Sequence, residues 1–173
     1  MHTRRAKLQD VNAIHRIINQ YTSDNTLLPR GYAELCENVR DFIVVEDEND
    51  IVACGALHLY GTHLTELRSI AVDRTRRGAG AGDLLISALL EEAEWHGVRC
   101  VCLFTRIPDY FARFGFSVAV KEDLPDKIYK DCQRCPRQNA CDEIAMFRGE
   151  LPRFAILPPA QNVLALPILH YPS

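Results

Sequence analysis

The chain has 173 residues, enough for one domain with a substantial buried core and too few for two comfortable ones. A formal charge of −3 gives no electrostatic footprint for nucleic acid or an anionic membrane, and no uninterrupted apolar run approaches the roughly 20 residues of a membrane span. The charged N-terminus has no apolar core of signal-peptide length, and the seven cysteines are an odd number without secretory context. These features make a cytoplasmic protein with reduced thiols or a metal site the expectation, and a disulfide framework is disfavoured.

Residues 3–7 are expected to form a short first strand. Asp10 is a good N-cap for a helix whose apolar residues Val11, Ile14, Ile17, Ile18 and Tyr21 share one face. After a polar turn at 23–26, residues 32–39 suit a second short helix. The period then changes: 42–45 and 51–57 are apolar runs flanking a polar turn at 47–50, the pattern of a hairpin. Residues 66–72 predict the next strand, antiparallel to its neighbour through a turn at Gly61. A long helix is expected over 81–95, with Leu85, Leu89 and Ala93 facing the sheet and most of the glutamates outward. The apolar run 101–104 follows that crossover, so it should lie parallel to the strand before the helix. A short helix at 109–114, capped by Gly115, precedes a strand at 116–120. The resulting class is α/β or α+β, a mixed, mostly antiparallel sheet with helices on both faces. Residues 1–150 are taken as the domain, with a cysteine-containing segment at 131–143, and 151–173 as a C-terminal extension rich in aliphatics that holds five of the nine prolines.

Between the strand at 66–72 and the long helix lies the most informative stretch. Arg76 and Arg77 lead into Gly78, Ala79, Gly80, Ala81 and Gly82. Glycines without a Cβ let successive backbone N–H groups converge on phosphate oxygens at the positive end of a helix. The spacing Arg-x-x-Gly-x-Gly from Arg77 to Gly82 suits a pyrophosphate, and no Gly-Lys-Ser/Thr follows as a nucleotide P-loop would require.

This loop resembles the acetyl-coenzyme A loop of the GNAT acetyltransferases. The segment Tyr110-Phe111-Ala112-Arg113-Phe114-Gly115-Phe116 resembles the aromatic segment that those enzymes place after the following strand. Leu28-Pro29-Arg30, Gly55-Ala56-Leu57, Glu66 with Ile70-Ala71-Val72, and Leu103-Phe104-Thr105-Arg106 narrow the resemblance to the N-acetylglutamate synthase type, and Leu124-Pro125-Asp126-Lys127-Ile128-Tyr129, with Asp131-Cys132 and residues 141–146, resembles its short members. It covers residues 3–148 and is nearest to short, stand-alone bacterial members. Longer members carry an extra amino-acid-kinase-like domain associated with arginine feedback, and none is visible in these 173 residues.

The resemblance implies an amino-acid N-acetyltransferase that acetylates the α-amino group of L-glutamate with acetyl-CoA, the first step of arginine biosynthesis. Such a transfer needs a positioned amine and a base to remove its proton, and no covalent nucleophile. Glu66, on the strand before the loop, is the expected base. Backbone N–H groups at Ile70, Ala71 and Val72 would polarise the thioester carbonyl. Phe111 stands where many relatives carry a tyrosine that protonates the departing thiolate. Either no tyrosine acts, or the neighbouring Tyr110 acts from an offset position. Arg30 and Arg106 are expected to hold the two carboxylates of glutamate, with Lys127 and His58 as weaker candidates. Other acceptors (another small amine, an antibiotic, a protein N-terminus) and a non-catalytic CoA-binding subunit are the competing readings. No nucleic acid or membrane partner is expected, and a homodimer is an assembly the sequence allows. Cys132, Cys135 and Cys141 approach the pattern of a zinc knuckle without an obvious fourth ligand, which Asp131 or Asp142 could supply; a redox pair or simply reduced thiols are the alternatives.

Overall fold

In the computed structural model, which describes residues 1–153, the chain opens with strand β1 (His2–Arg5) and helix α1 (Val11–Asn19). Val11, Ile14, Ile17 and Ile18 are all buried, as the helical spacing predicts. Asp10 stands at the N-cap position of α1, as expected, but its side chain makes no capping bond to the helix. Its carboxylate instead accepts from both terminal nitrogens of Arg4 at 2.7 and 3.0 Å and from the Lys7 backbone N–H at 2.7 Å. A short 3₁₀ turn at Leu8–Asp10 precedes the helix, so the charge ties β1 to α1. Helix α2 (Tyr32–Glu37) follows, shorter than expected because residues 39–41 tighten into 3₁₀ geometry.

Strands β2 (Phe42–Asp47) and β3 (Asp50–Gly61) are joined by two residues, Glu48 and Asn49, both at positive φ. This is the backbone that matches a two-residue hairpin to strand twist. Then come β4 (Leu64–Val72), helix α3 (Ala81–Trp95), β5 (Cys100–Thr105), the short helix α4 (Pro108–Ala112), the two-residue β6 (Ser117–Val118), α5 (Pro125–Lys130) and β7 (Ile144–Gly149). The seven strands are ordered β1-β2-β3-β4-β5-β7-β6. Every neighbouring pair is antiparallel except β4–β5, which the α3 crossover makes parallel. β7 enters the sheet between β5 and β6, where the sequence suggested a final strand at 116–120 alone.

Helices cover both faces. Leu85, Ile86, Leu89 and Leu90 of α3 pack with Ile43, Val45, Leu57, Leu67 and Leu103 on one side. On the other, α1 packs with Val44, Cys54, Ala56 and Ala71, and Leu124 at the start of α5 packs with Leu64, Cys100 and Cys102. Cys54, Cys100 and Cys102 are therefore small core residues, and burial pushes the Cys54 thiol up to about 12. At the far end of β7, Gly149 has φ +100° and a Cβ there would lie 2.1 Å from the Arg99 carbonyl oxygen, so only glycine allows this closing contact.

Candidate active site

The site begins where two parallel strands part. β4 and β5 pair only at Thr65–Val101 and Glu66–Cys102, although both strands continue well beyond. A register shift opposite Gly55, with Ser69 at φ +54°, bends β4 away. β4 past Glu66 consequently has no ladder partner on its β5 side among the described residues, and a cleft of about 690 Å3 opens there. Its walls include Arg68, Ile70, Ala71 and Val72 of β4, residues 76–83 apart from Ala79, Phe104 to Ile107, and Tyr110. Gly55 lets α3 close over the bend, because a Cβ there would lie 2.9 Å from Leu89 Cδ1.

At one end of the cleft is the glycine loop. Gly78 and Gly80 have φ +85° and +83°, and a Cβ on either would meet nothing within 4 Å, so open space lies over both. The first main-chain bond of α3 runs from the Leu84 N–H to the Gly80 carbonyl at 3.1 Å. The N–H groups of residues 78–83 make no hydrogen bond within the described protein and are free to meet an anion. Arg77 is steered by Tyr21, whose hydroxyl accepts from Nε at 3.1 Å and Nη2 at 2.9 Å while donating to the Val72 carbonyl. An unclaimed row of amides, a helix N-terminus and an arginine fit the pyrophosphate of acetyl-CoA.

The other end is a buried charge network that sequence reasoning only partly found. Glu66 is 3% exposed and is not itself among the residues lining the cleft; the following Leu67 and Arg68 are. Lys127 Nζ lies 2.8 Å from Glu66 Oε1 and 3.1 Å from Asp131 Oδ2. Tyr60 donates its hydroxyl to Glu66 Oε2 at 2.9 Å and also lies 3.1 Å from Asp131 Oδ2. Arg68 reaches the same Asp131 oxygen at 3.9 Å. Burial, followed by the two carboxylates, drives the Tyr60 phenol far above the usual tyrosine range and keeps it a donor. Burial works against the Lys127 ammonium, but Glu66 and Asp131 outweigh it and raise its pKa. Asp131 is likewise lowered by Lys127 against the opposing effect of burial.

The remaining expected residues are placed as follows. Tyr110 lines the cleft and donates to Asp83 Oδ1 at 3.0 Å in the first turn of α3; burial and Asp83 raise its phenol. Phe111 is buried beside Phe116. Arg106 lines the cleft, bonded through Nε to Asp142 at 2.8 Å and through Nη1 to the Asn25 carbonyl at 2.9 Å. Arg30 pairs with Glu34 at 2.7 Å one helical turn on and does not line the cleft. His58 meets Lys130 at 2.6 Å.

The zinc expectation is corrected. Among the described residues no group of three or more His, Cys, Asp or Glu side chains is placed to hold a metal ion. Asp131 is committed to Lys127 and Tyr60, Asp142 to Arg106 and Arg137, and burial pushes the Cys132 thiol up to about 11. Cys141 is exposed, while Cys132 and Cys135 stand at the two ends of one 3₁₀ turn, the Cys135 N–H bonded to the Cys132 carbonyl at 3.2 Å. The residues missed outright are Tyr21, Tyr60 and Arg68. Arg68 had a signal, since it stands two residues from Glu66 in a strand and so shares its face.

Comparison with known proteins agrees with this geometry. A family model described as Acetyltransferase (GNAT) domain matches residues 38–118. An uncharacterised N-acetyltransferase of Chlorobaculum tepidum is 37% identical over 145 residues, covering 84% of this chain and 94% of the relative. The amino-acid acetyltransferase of Mycobacterium tuberculosis is 35% identical over 117 residues, 66% of this chain and 67% of the relative. Against other relatives of that name the chain spans less than a third, for example 29% of the Pasteurella multocida protein. Among solved structures, a Mycobacterium tuberculosis protein in complex with CoA and NLQ superposes with a TM-score of 0.74 at 27% identity, covering 87% of this chain and all of the other. N-acetylglutamate synthase from Neisseria gonorrhoeae, complexed with coenzyme A and N-acetyl-glutamate, gives 0.76 at 22% identity over 87% of this chain and 35% of the other, a likeness of fold.

Proposed function

The chain belongs to the GNAT family and is an acetyl-CoA-dependent N-acetyltransferase, and from that premise we propose that it acetylates the α-amino group of L-glutamate. On this reading residues 1–150 are the acetyltransferase domain and the reaction is the opening step of arginine synthesis. The observation that carries it is Glu66: a buried carboxylate on β4, at the last residue before β4 and β5 separate. Lys127 and Tyr60 fix its two oxygens.

The loop of residues 78–82 and Arg77 hold the pyrophosphate and lay the thioester along the parted strands. Glu66 takes the ammonium proton directly or through one water, leaving a neutral amine that attacks the thioester carbonyl. Backbone N–H groups of Ile70 and Val72 face the charge that develops on the carbonyl oxygen, while that of Ala71, opposite Cys54, points back to β3. The C–S bond then breaks and the Tyr110 phenol, which burial keeps protonated, gives its proton to the thiolate; the second proton of the attacking nitrogen leaves to solvent, and the phenolate is reprotonated from solvent. Arg106 is the candidate for the distal carboxylate at the cleft wall, and Arg30 would join it only by leaving Glu34.

The test is CoA release from acetyl-CoA with L-glutamate against L-aspartate, L-glutamine, other amino acids and polyamines. Glutamate-selective turnover that Glu66→Gln lowers roughly 100-fold or more supports the reading. Selective turnover of another amine removes glutamate, and unchanged activity in the variant removes Glu66 from the chemistry. Binding of acetyl-CoA without turnover of any acceptor overturns the proposal.

A further inference from the structure

The cations along the cleft differ in what already holds them. Arg77 donates twice to Tyr21, Arg106 is bonded to Asp142 and a main-chain carbonyl, and Arg76 pairs with Asp47 at 3.5 Å. Arg68 is different. Its side chain is 14% exposed and opens on the cleft, its one ion pair among the described residues is the 3.9 Å approach to Asp131, and its guanidinium makes no hydrogen bond to any of them. A guanidinium has five donors and does not release its proton, so a largely buried one facing a cleft is matched to an incoming anion.

We infer that Arg68 receives the α-carboxylate of the acceptor, an inference that rests on the amino-acid reading above. Glu66 and Arg68 are paired across β3 with His58 and Ala56, two residues apart on one strand face, which places their Cα atoms about 7 Å from each other. The amine and the α-carboxylate of an amino acid hang from a single carbon. A base and a cation at this spacing reach both groups together, whereas the side-chain carboxylate of glutamate lies further along the cleft.

Charge balance points the same way. Glu66 and Asp131 face Lys127 and Arg68, two anions against two cations, and a zwitterionic amino acid entering between Glu66 and Arg68 adds one charge of each sign. A polyamine would bring only cations. A protein N-terminus has an amine, but its neighbouring carboxyl is locked in a peptide bond and offers no anion to Arg68. The residue thus selects free α-amino acids.

The experiment compares kcat/KM for L-glutamate, its α-amide isoglutamine and its side-chain amide glutamine in the wild type, Arg68→Gln and Arg68→Lys. Melting temperature and the KM for acetyl-CoA confirm that each variant is folded. The wild type is expected to prefer glutamate over isoglutamine strongly. Arg68→Gln should raise the KM for glutamate roughly 10- to 100-fold and bring glutamate and isoglutamine within a few-fold of each other, with Arg68→Lys in between. The ratio of glutamate to glutamine should hold, because it reads the other carboxylate; a merely structural lesion would depress all three acceptors alike. A folded Arg68→Gln enzyme that still rejects isoglutamine overturns the inference. If the wild type prefers a different α-amino acid, glutamate is lost as the substrate, and the same acid-to-amide ratio on that acceptor still decides Arg68.

Discussion

Replacing Lys127 by methionine isolates the energetics of the acceptor side. The side chains of Lys127 and Glu66 are 13% and 4% exposed and meet at 2.8 Å, so neither is well screened by water. Removing the ammonium leaves Glu66 with the Tyr60 hydroxyl alone and Asp131 with Tyr60 and the distant Arg68. An uncompensated buried carboxylate costs about 3–5 kcal/mol, which for a domain of this size lowers the melting temperature by roughly 6–20 °C. In the wild type the raised Lys127 pKa means its contribution is complete below the unfolded lysine value near 10.4 and is lost only as pH climbs through the higher folded value. In Lys127→Met, Asp131 loses the cation that holds its pKa down while burial still opposes its charge, so it takes up a proton more readily and the deficit should be large at pH 7.5 and shrink towards pH 5. Adding Glu66→Gln should recover at least about 2 kcal/mol, because a neutral amide needs no cation. Urea unfolding of the wild type, both single variants and the double variant at the two pH values gives the cycle. A Lys127→Met protein within about 1 kcal/mol of wild type at pH 7.5, with no pH dependence, would refute the reasoning.

Three further changes probe other parts of the molecule. Gly149→Ala places a Cβ against the Arg99 carbonyl at a φ of +100° and should cost roughly 3 kcal/mol or more, seen as an early urea midpoint; an unchanged midpoint would mean that β7 closes differently. Burial opposes ionisation of Asp73, but the Thr75 N–H and hydroxyl and Arg16 hold its pKa down to about 2. Its contribution of about 2 kcal/mol is therefore present above the unfolded aspartate value and fades as pH falls towards 2, so Asp73→Asn should be less stable at pH 7 and indistinguishable from wild type near pH 2. Tyr110→Phe should lower kcat at least roughly tenfold with little change in the KM for acetyl-CoA, and an unaltered kcat would show that the thiolate leaves without it.

The two ends of the cleft were unequally visible in the sequence because they are built differently. The cofactor end is local: strand, glycine turn and helix are consecutive, and the expected helix 81–95 coincides with α3. The parallel pairing of β4 and β5 followed from the crossover that α3 imposes. β7 had no such signal, since its register with β5 joins residues more than 38 apart and its partner β6 is two residues long. Asp10 marked the helix start correctly, but its side chain was drawn away from capping by Arg4, which a strand brings alongside.

The acceptor end is assembled from three distant pieces. Tyr60 comes from β3, Glu66 and Arg68 from β4, and Lys127 and Asp131 from α5 and the residue after it. Lys127 drew notice only as a weak substrate contact, because the α5 segment shows its purpose only once it is laid across the sheet. There Leu124 packs with Leu64 and Cys102, beside Glu66. This division has a chemical consequence. The amides and arginine proposed to hold the pyrophosphate of acetyl-CoA lie in one continuous stretch of chain, whereas the charges that hold Glu66 ride on a segment tied to the sheet by Leu124. Substitutions in 124–131 can therefore change the acceptor while the amides of 78–83 remain as they are.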